Sequence, residues 1–284
     1  MQWFPAPAKL NLFLHITSQR TDGYHNLQTY FQLIELSDRL AFEVLDAPRI
    51  ERVAAGGASD LLAAIEPEQD LVVRAAGALQ AAAGVRRGAR IHLRKVIPLG
   101  GGLGGGSSDA ATTLRVLDVL WGCRLGVDAL AELGLGLGAD VPVFVRGESA
   151  LGAGVGEALT PLAQPESWFL VLHPGVSVST RAVFQAPELT RNSPVITIRA
   201  LSDPALRNDC EPVVRARYPA VADALDWLGR FAPARLTGTG ACVFARFDSA
   251  AAAERVAGRV PEGWRVWVTR GIARSPLLEK LEAA

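Results

Sequence analysis

The chain has 284 residues, of which 49% are hydrophobic and 20% charged, enough to bury a sizeable core in two modest domains or one large one, and that composition excludes a disordered chain. Lys and Arg number 29, as do Asp and Glu, so neither nucleic acid nor an anionic membrane is expected as the main partner. The cysteines, Cys123, Cys210 and Cys242, form neither a metal pattern nor a disulfide framework, residues 1–20 lack an uninterrupted apolar export segment, and no apolar run approaches membrane-spanning length, which together predict a cytoplasmic protein acting on small molecules.

Residues 9–16 alternate, with leucines and Ile16 on one face and Lys9, Asn11, Phe13 and His15 on the other, the pattern of a half-buried strand. Lys9 and Asn11 therefore project the same way, onto either a solvated face or a site. A turn around Asp22-Gly23 follows. It brings Tyr24 and His25 to a turn exit, where side chains meet ligands or cap a core edge. Residues 27–36 and 39–45 read as strands, and 46–70 as irregular surface. Leu71–Ala83 is predicted helical, with Leu71, Ala75, Leu79 and Ala82 on one face. Residues 89–95 alternate again as a strand.

The next stretch, Pro98-Leu99-Gly100-Gly101-Gly102-Leu103-Gly104-Gly105-Gly106-Ser107-Ser108-Asp109, holds six glycines in seven positions. Glycine is costly inside a strand or helix, so this is a loop between the preceding strand and a helix predicted over 110–121. Ser107 or Ser108 is the expected N-cap. A loop without Cβ atoms closes its backbone N–H groups around an anion, and the helix N-terminus adds orphan donors and about half a positive charge. The combination is a phosphate cradle. Gly100, Gly102 and Gly105 satisfy G-x-G-x-x-G, but no second strand ending in an acid follows, as a dinucleotide fold requires. No lysine ends the loop, so it is not a P-loop, and Asp-Phe-Gly is absent from the chain.

Residues 127–137 read as a helix, followed by Gly138-Ala139-Asp140-Val141-Pro142. Pro142 biases Val141 toward extended geometry. Asp140 then sits at a helix-to-strand junction among apolar neighbours, as a cap, an ion-pair partner or a functional group. Residues 150–162 form strands with turns. A polar, proline-containing link at 163–167 is the expected boundary between an amino-terminal domain, 1–163, and a carboxy-terminal one, 164–284. Beyond it the pattern predicts a strand at Trp168–His173, a short helix capped by Ser179 and ending near Phe184, and helices at Glu211–Arg217 and 220–231. A second glycine-punctuated element, 235–245, runs into a strand. A helix at 249–258, a strand at 265–268 and a closing helix capped by Ser275 complete an α+β chain.

Taken together, Ala6-Pro7-Ala8-Lys9-Leu10-Asn11, the glycine loop with its serines, and Leu236-Thr237-Gly238-Thr239-Gly240-Ala241 resemble, in order, the signatures of the GHMP kinases (galacto-, homoserine, mevalonate and phosphomevalonate kinases). Asp22-Gly23-Tyr24-His25 and Gly138-Ala139-Asp140-Val141-Pro142 are most similar to the branch that phosphorylates the tertiary 2-hydroxyl of a cytidine diphosphate-linked substrate. The resemblance implies a two-domain GHMP kinase fold, ribosomal-protein-S5-domain-2-like then ferredoxin-like, with the active site in the cleft. It implies ATP as co-substrate, held by Lys95, Pro98 and the loop from Gly100 to Ser108. Asp140 would be the base and Lys9 its charge partner. Asn11, Tyr24, His25 and Phe184 would hold the substrate, the two aromatics stacking on cytosine and His25 reading its edge. Phosphoryl transfer independently calls for such a pair, because an alcohol attacks once a carboxylate accepts its proton and a cation stabilises the developing charge. ATP chemistry implies Mg²⁺. Its protein ligands are not assignable, because Gly105-Gly106 occupy positions where many relatives carry serines, and no equivalent of their metal-holding carboxylate stands out. Rival expectations are a phosphate-binding sensor without the base, a dinucleotide-dependent oxidoreductase, or a GHMP kinase for another small alcohol.

Overall fold

Two long strands, β1 (Trp3–Gln19) and β2 (His25–Leu45), pair antiparallel and form the spine of the molecule. A computed structural model describes residues 1–21, 23–56, 65–66, 68–197 and 206–283. The edge of β2 away from β1 is shared along its length. β4 (Gly88–Arg94) pairs with its far end, β5 (Ala150–Ala153) with Thr29–Phe31, and β10 (Arg265–Ile272) with Leu33 and Ile34. β3 (Ile50–Ala54) lies parallel to β4, and β6 (Ala158–Pro161) antiparallel to β5. The stretch 46–70, expected to be irregular, thus contains a strand; its Arg and Glu residues mask the alternation because β3 is only half-buried along its whole length.

The second half adds an antiparallel set, in which β7 (Trp168–His173) lies between β10 and β9 (Val243–Phe247), with β8 (Ala234–Leu236) at the edge. Helices α1 (Leu71–Ala83), α2 (Gly105–Trp121), α3 (Val127–Leu135) and α4 (Val141–Arg146) enclose one core with Leu33, Leu40 and Ile91. The second core joins β7 and β9 to α6 (Glu211–Arg217) and α7 (Pro219–Gly229) through Leu170, Val214, Leu225 and Val243. A smaller cluster, including Leu10, Ile34, Leu103, Phe169 and Cys242, spans the two halves. The short α5 (Thr180–Phe184), α8 (Ala250–Ala257) and α9 (Pro276–Glu282) begin on Ser179, Ser249 and Ser275, each accepting from a backbone N–H of the first turn. α9 returns to the amino-terminal half, where Leu277 packs with Phe4 and Val116.

The structure changes several expectations from the sequence. β1, expected to be half-buried, is buried on both faces, Lys9 at 3% and Asn11 at 2% exposure as well as Leu10, because the second half and the glycine loop cover the face that carries Lys9 and Asn11. Residues 141–144 are helix, not strand, since Pro142 falls in the first turn of α4, where its missing N–H costs nothing. β2 is one continuous strand, not two.

Candidate active site

The glycine loop enters α2 without a side-chain cap: Gly104, in left-handed backbone at φ +71°, takes the N-cap position, and Ser107 and Ser108 lie inside the first turn. The expected serine cap is corrected here, and the physical reason is chemical. A cap would consume the first-turn N–H groups that an anion requires, whereas glycine leaves them free. Only at Ser108 does the ladder begin, its N–H donating to Gly104 O at 2.9 Å.

The loop is fixed from behind by the second glycine element, 236–242. Ala241 and Cys242 N–H groups donate to the carbonyls of Gly100 and Gly101. Thr237 Oγ1 donates to Gly102 O at 3.1 Å. A Cβ on Gly102, itself at φ +73°, would stand 2.1 Å from Thr237 O, and one on Gly104 would stand 2.8 Å from the Phe144 ring. At these positions glycine is therefore demanded by protein packing as much as by a ligand.

Lys9 crosses beneath this junction. Its Nζ donates to Gly102 O at 3.0 Å and to Asn11 Oδ1, lies 3.3 Å from Asp140 Oδ2, and sits 5.8 Å over the Phe31 ring. Asn11 is held in turn: its Nδ2 donates to Thr29 Oγ1 at 2.9 Å, and its N–H to Thr237 Oγ1 at 3.1 Å. Asp140 occupies the N-cap position of α4 but makes no side-chain cap bond. Among the fates open to it, the ion pair is the one the structure brings about, with the carboxylate 34% exposed beside an almost fully buried ammonium. A partly solvated carboxylate next to a fixed cation is free to accept a proton from a bound alcohol.

Lys9, Asn11 and Asp140 line one side of a cavity of about 640 Å³, and Tyr24, His25 and Phe184 line it too. Five of these residues come from β1, the β1–β2 turn and the start of α4 and β2, while Phe184 is brought by α5. The His25 and Phe184 rings are in tilted contact, with centroids 5.3 Å apart and planes inclined by 31°. His25 Nε2 accepts from Arg191 Nε at 3.1 Å, and burial, then the Arg191 charge, lower its pKa. Asp22, part of the same motif, lies outside the described residues. A second cavity of about 460 Å³ is lined by Lys95, Pro98, Leu99 and residues 100–107. It shares Gly102, Gly104, Ser107 and Thr180 with the first, so the two adjoin at the start of α2.

Lys95 reaches the second cavity, but its ammonium is committed to Asp38 Oδ2 at 2.5 Å and Asp109 Oδ2 at 2.8 Å. Asp38 also accepts from the Val96 and Ile97 N–H groups, whereas Asp109 Oδ1 is buried without a partner. Burial opposes the charge on Lys95, yet the attraction of Asp109 and Asp38 raises its pKa on balance. Burial likewise pushes Asp109 well above the usual carboxylate range. This triad anchors the strand before the loop to the helix after it. Ser108 lines neither cavity; its hydroxyl is fully buried and has no hydrogen-bond partner. Sequence reasoning did not single out Thr29, Phe31, Asp38, Thr180 or Arg191, and of Thr237 it saw only the motif. Among the described residues, no group of three or more His, Cys, Asp or Glu converges as a metal cluster, and no helix is long and apolar enough to cross a membrane.

Comparison with known proteins supplies the family. Residues 70–148 match the GHMP kinases N terminal domain, and residues 188–266 the GHMP kinases C terminal domain. The 4-diphosphocytidyl-2-C-methyl-D-erythritol kinase of Alkalilimnicola ehrlichii is 55% identical, covering 99% of this chain and 96% of that protein. The protein of the same description from Halorhodospira halophila is 53% identical over 99% of this chain and 97% of its own. A crystal structure of 4-(cytidine 5'-diphospho)-2C-methyl-D-erythritol kinase superposes with a TM-score of 0.80 at 33% identity, covering 95% of this chain and 100% of that one. A mevalonate kinase structure shares the fold, with a TM-score of 0.68 at 14% identity and coverage of 95% and 99%. The α+β fold of two GHMP domains and these relatives lead to one conclusion: the chain belongs to the GHMP kinases and, within them, to the 4-diphosphocytidyl-2-C-methyl-D-erythritol kinase family.

Proposed function

We propose that this kinase transfers the γ-phosphoryl group of ATP to the 2-hydroxyl of 4-diphosphocytidyl-2-C-methyl-D-erythritol, a step of the non-mevalonate isoprenoid route. The observation that carries the reading is the Lys9–Asp140 pair at 3.3 Å, which stands beside the glycine loop in a cavity whose lining includes Tyr24, His25 and Phe184. ATP phosphates would rest on the free first-turn N–H groups of α2, with the rest of the nucleotide in the adjoining cavity. The alcohol oxygen attacks the γ-phosphorus as its proton passes to Asp140, and the bond from that phosphorus to the ADP oxygen breaks. Lys9, held by Asn11 and Gly102 O, would stabilise the charge that develops on the transferred group. Lys95 acts on ATP indirectly in this reading, by fixing the ends of the loop.

Mg²⁺ accompanying ATP would neutralise phosphate charge. The donor set suits an ion carried mainly by phosphates and water: Ser107 lines both cavities, and its hydroxyl is the protein oxygen we assign to the ion, as a P-loop Ser or Thr hydroxyl serves. A cytoplasmic setting, where ATP is supplied and thiols stay reduced, is in keeping with three unpaired cysteines. A panel of candidate alcohols incubated with ATP, read by product mass, tests the assignment. The cytidine diphosphate-linked substrate should gain one phosphoryl group, while mevalonate and homoserine should not. Turnover of either of those in preference to it would overturn the substrate assignment.

A further inference from the structure

Arg191 lies well outside the sequence motifs, in the segment after α5, yet its guanidinium ties together the residues at the cytidine end of the cavity. Nη2 donates to the carbonyls of Phe184 at 3.0 Å and Ala186 at 2.8 Å, and Nη1 to Leu189 O at 3.1 Å. Nε–H donates to His25 Nε2 at 3.1 Å. Arginine cannot give up its proton in a protein and has no acceptor. A nitrogen that receives its N–H must therefore present a lone pair. We infer that Arg191 is a positioning residue that locks His25 as the neutral tautomer with its proton on Nδ1, and so makes this kinase choose cytosine over uracil. The inference rests on the substrate reading above.

The chemistry follows from the two bases. Position 3 of the cytosine ring is an acceptor, and that of uracil is an N–H donor. Nδ1 of His25 carries no hydrogen bond to a described residue, so in the locked tautomer it is a free donor in a ring that lines the cavity. It completes a hydrogen bond with cytosine and confronts uracil with a second donor, leaving both unpaired, which is how sites reject near-isosteres. Stacking between Tyr24 and Phe184 could not make this choice, because every base has a stacking face. A histidine with no fixed partner could present either nitrogen as donor or acceptor and would accept both bases. Protonation would place a second N–H against the Arg191 N–H, and burial together with that nearby charge already disfavours it.

The test combines spectroscopy with binding. In the unmodified protein, long-range ¹⁵N–¹H correlation of the His25 ring, assigned by its loss in His25→Gln, should show Nδ1 protonated and Nε2 bare at neutral pH. Arg191→Met should release the ring to a mixture of tautomers. The ratio of dissociation constants for the uridine- and cytidine-linked substrates should then fall about tenfold, the effect of one discriminating hydrogen bond, with kcat on saturating cytidine substrate little changed. Arg191→Lys, which keeps a cationic donor, should retain part of the preference. A native His25 protonated at Nε2, or an unaltered base ratio in Arg191→Met, overturns the inference, and the native spectrum decides even if that variant does not fold. A native enzyme with no preference for cytidine would instead defeat the substrate reading, and this inference with it.

Discussion

Asp140 and Lys9 differ in what surrounds them, and their variants should differ accordingly. Asp140 is 34% exposed and caps nothing, so Asp140→Asn removes a proton acceptor with little structural consequence. Its kcat should fall by about 10²–10⁴, with the melting temperature and ATP binding by calorimetry nearly unchanged. A collapse of the melting temperature would show instead that the ion pair serves the fold. Lys9 is 3% exposed and bonded to Asn11 and Gly102. Lys9→Met should therefore lower kcat strongly and also cost some stability, because Gly102 O and Asn11 Oδ1 each lose a donor. In the sequence, Lys9 and Asn11 were legible as strand neighbours on one face, but their burial was not, since several of the residues that enclose them, Gly102, Asp140 and Thr237, lie far along the chain. Tyr24 and His25 stood out as turn-exit side chains, able to cap a core edge or to meet a ligand, and their roles, like that of Phe184, came through family resemblance. Arg191 carried no signal at all: one arginine in a polar stretch looks like any other until its carbonyl partners are seen.

Elements were legible where local chemistry decides them, and less so where packing does. Leu71–Ala83 was read to the residue from its apolar face, and the structure shows local chemistry setting both ends: Asp70 caps it, accepting from Val72 N, and Gly84 ends it in left-handed backbone at φ +64°. The start of α2 was misread because serine is ordinarily a cap, and only the structure shows that glycine holds that position. The glycines of the loop are likewise not equivalent. Gly102→Ala forces left-handed backbone on alanine, at about 1–2 kcal/mol, and drives its Cβ toward Thr237 O, so the uncomplexed protein should melt markedly lower. Gly106 lies in the first turn of α2, where an added Cβ meets only Leu71 Cδ1, at 3.4 Å. Gly106→Ala should keep or slightly raise the melting temperature, by the helix preference of alanine, while weakening ATP binding measured by calorimetry. Lys95 gives a third case. Lys95→Met leaves two buried carboxyl groups facing each other and should cost about 3–5 kcal/mol in denaturant unfolding, whereas an exposed loop lysine binding phosphate would cost little.

At the scale of the whole molecule, the two halves are joined through β10 on β2, the cluster around Leu10 and Phe169, and α9 returned to the amino-terminal half. None of these long-range contacts is written in a local pattern. Buried histidines lie in both halves, and they give the assembled structure a shared dependence on pH. His15 in β1 and His173 in β7 are both buried. Burial lowers the pKa of each below 6.5, with Asp209 opposing and Arg207 adding at His15, and Arg265 adding at His173. His25 is shifted the same way by burial and Arg191. The unfolded chain thus binds protons more readily than the folded one as pH drops through 6.5, so stability rises with pH across that range and is lost on acidification. The melting temperature should be level above pH 7 and fall progressively from about pH 6.5 downward, before ordinary carboxylates titrate. His15 is the sharpest probe, because both ring nitrogens are buried without a well-formed hydrogen bond. In His15→Leu the fall between pH 7 and 5.5 should be shallower than in the native chain. An equal slope in the two proteins would mean that His15 takes up its proton as easily folded as unfolded, and the acid sensitivity would then belong to His173 and His25.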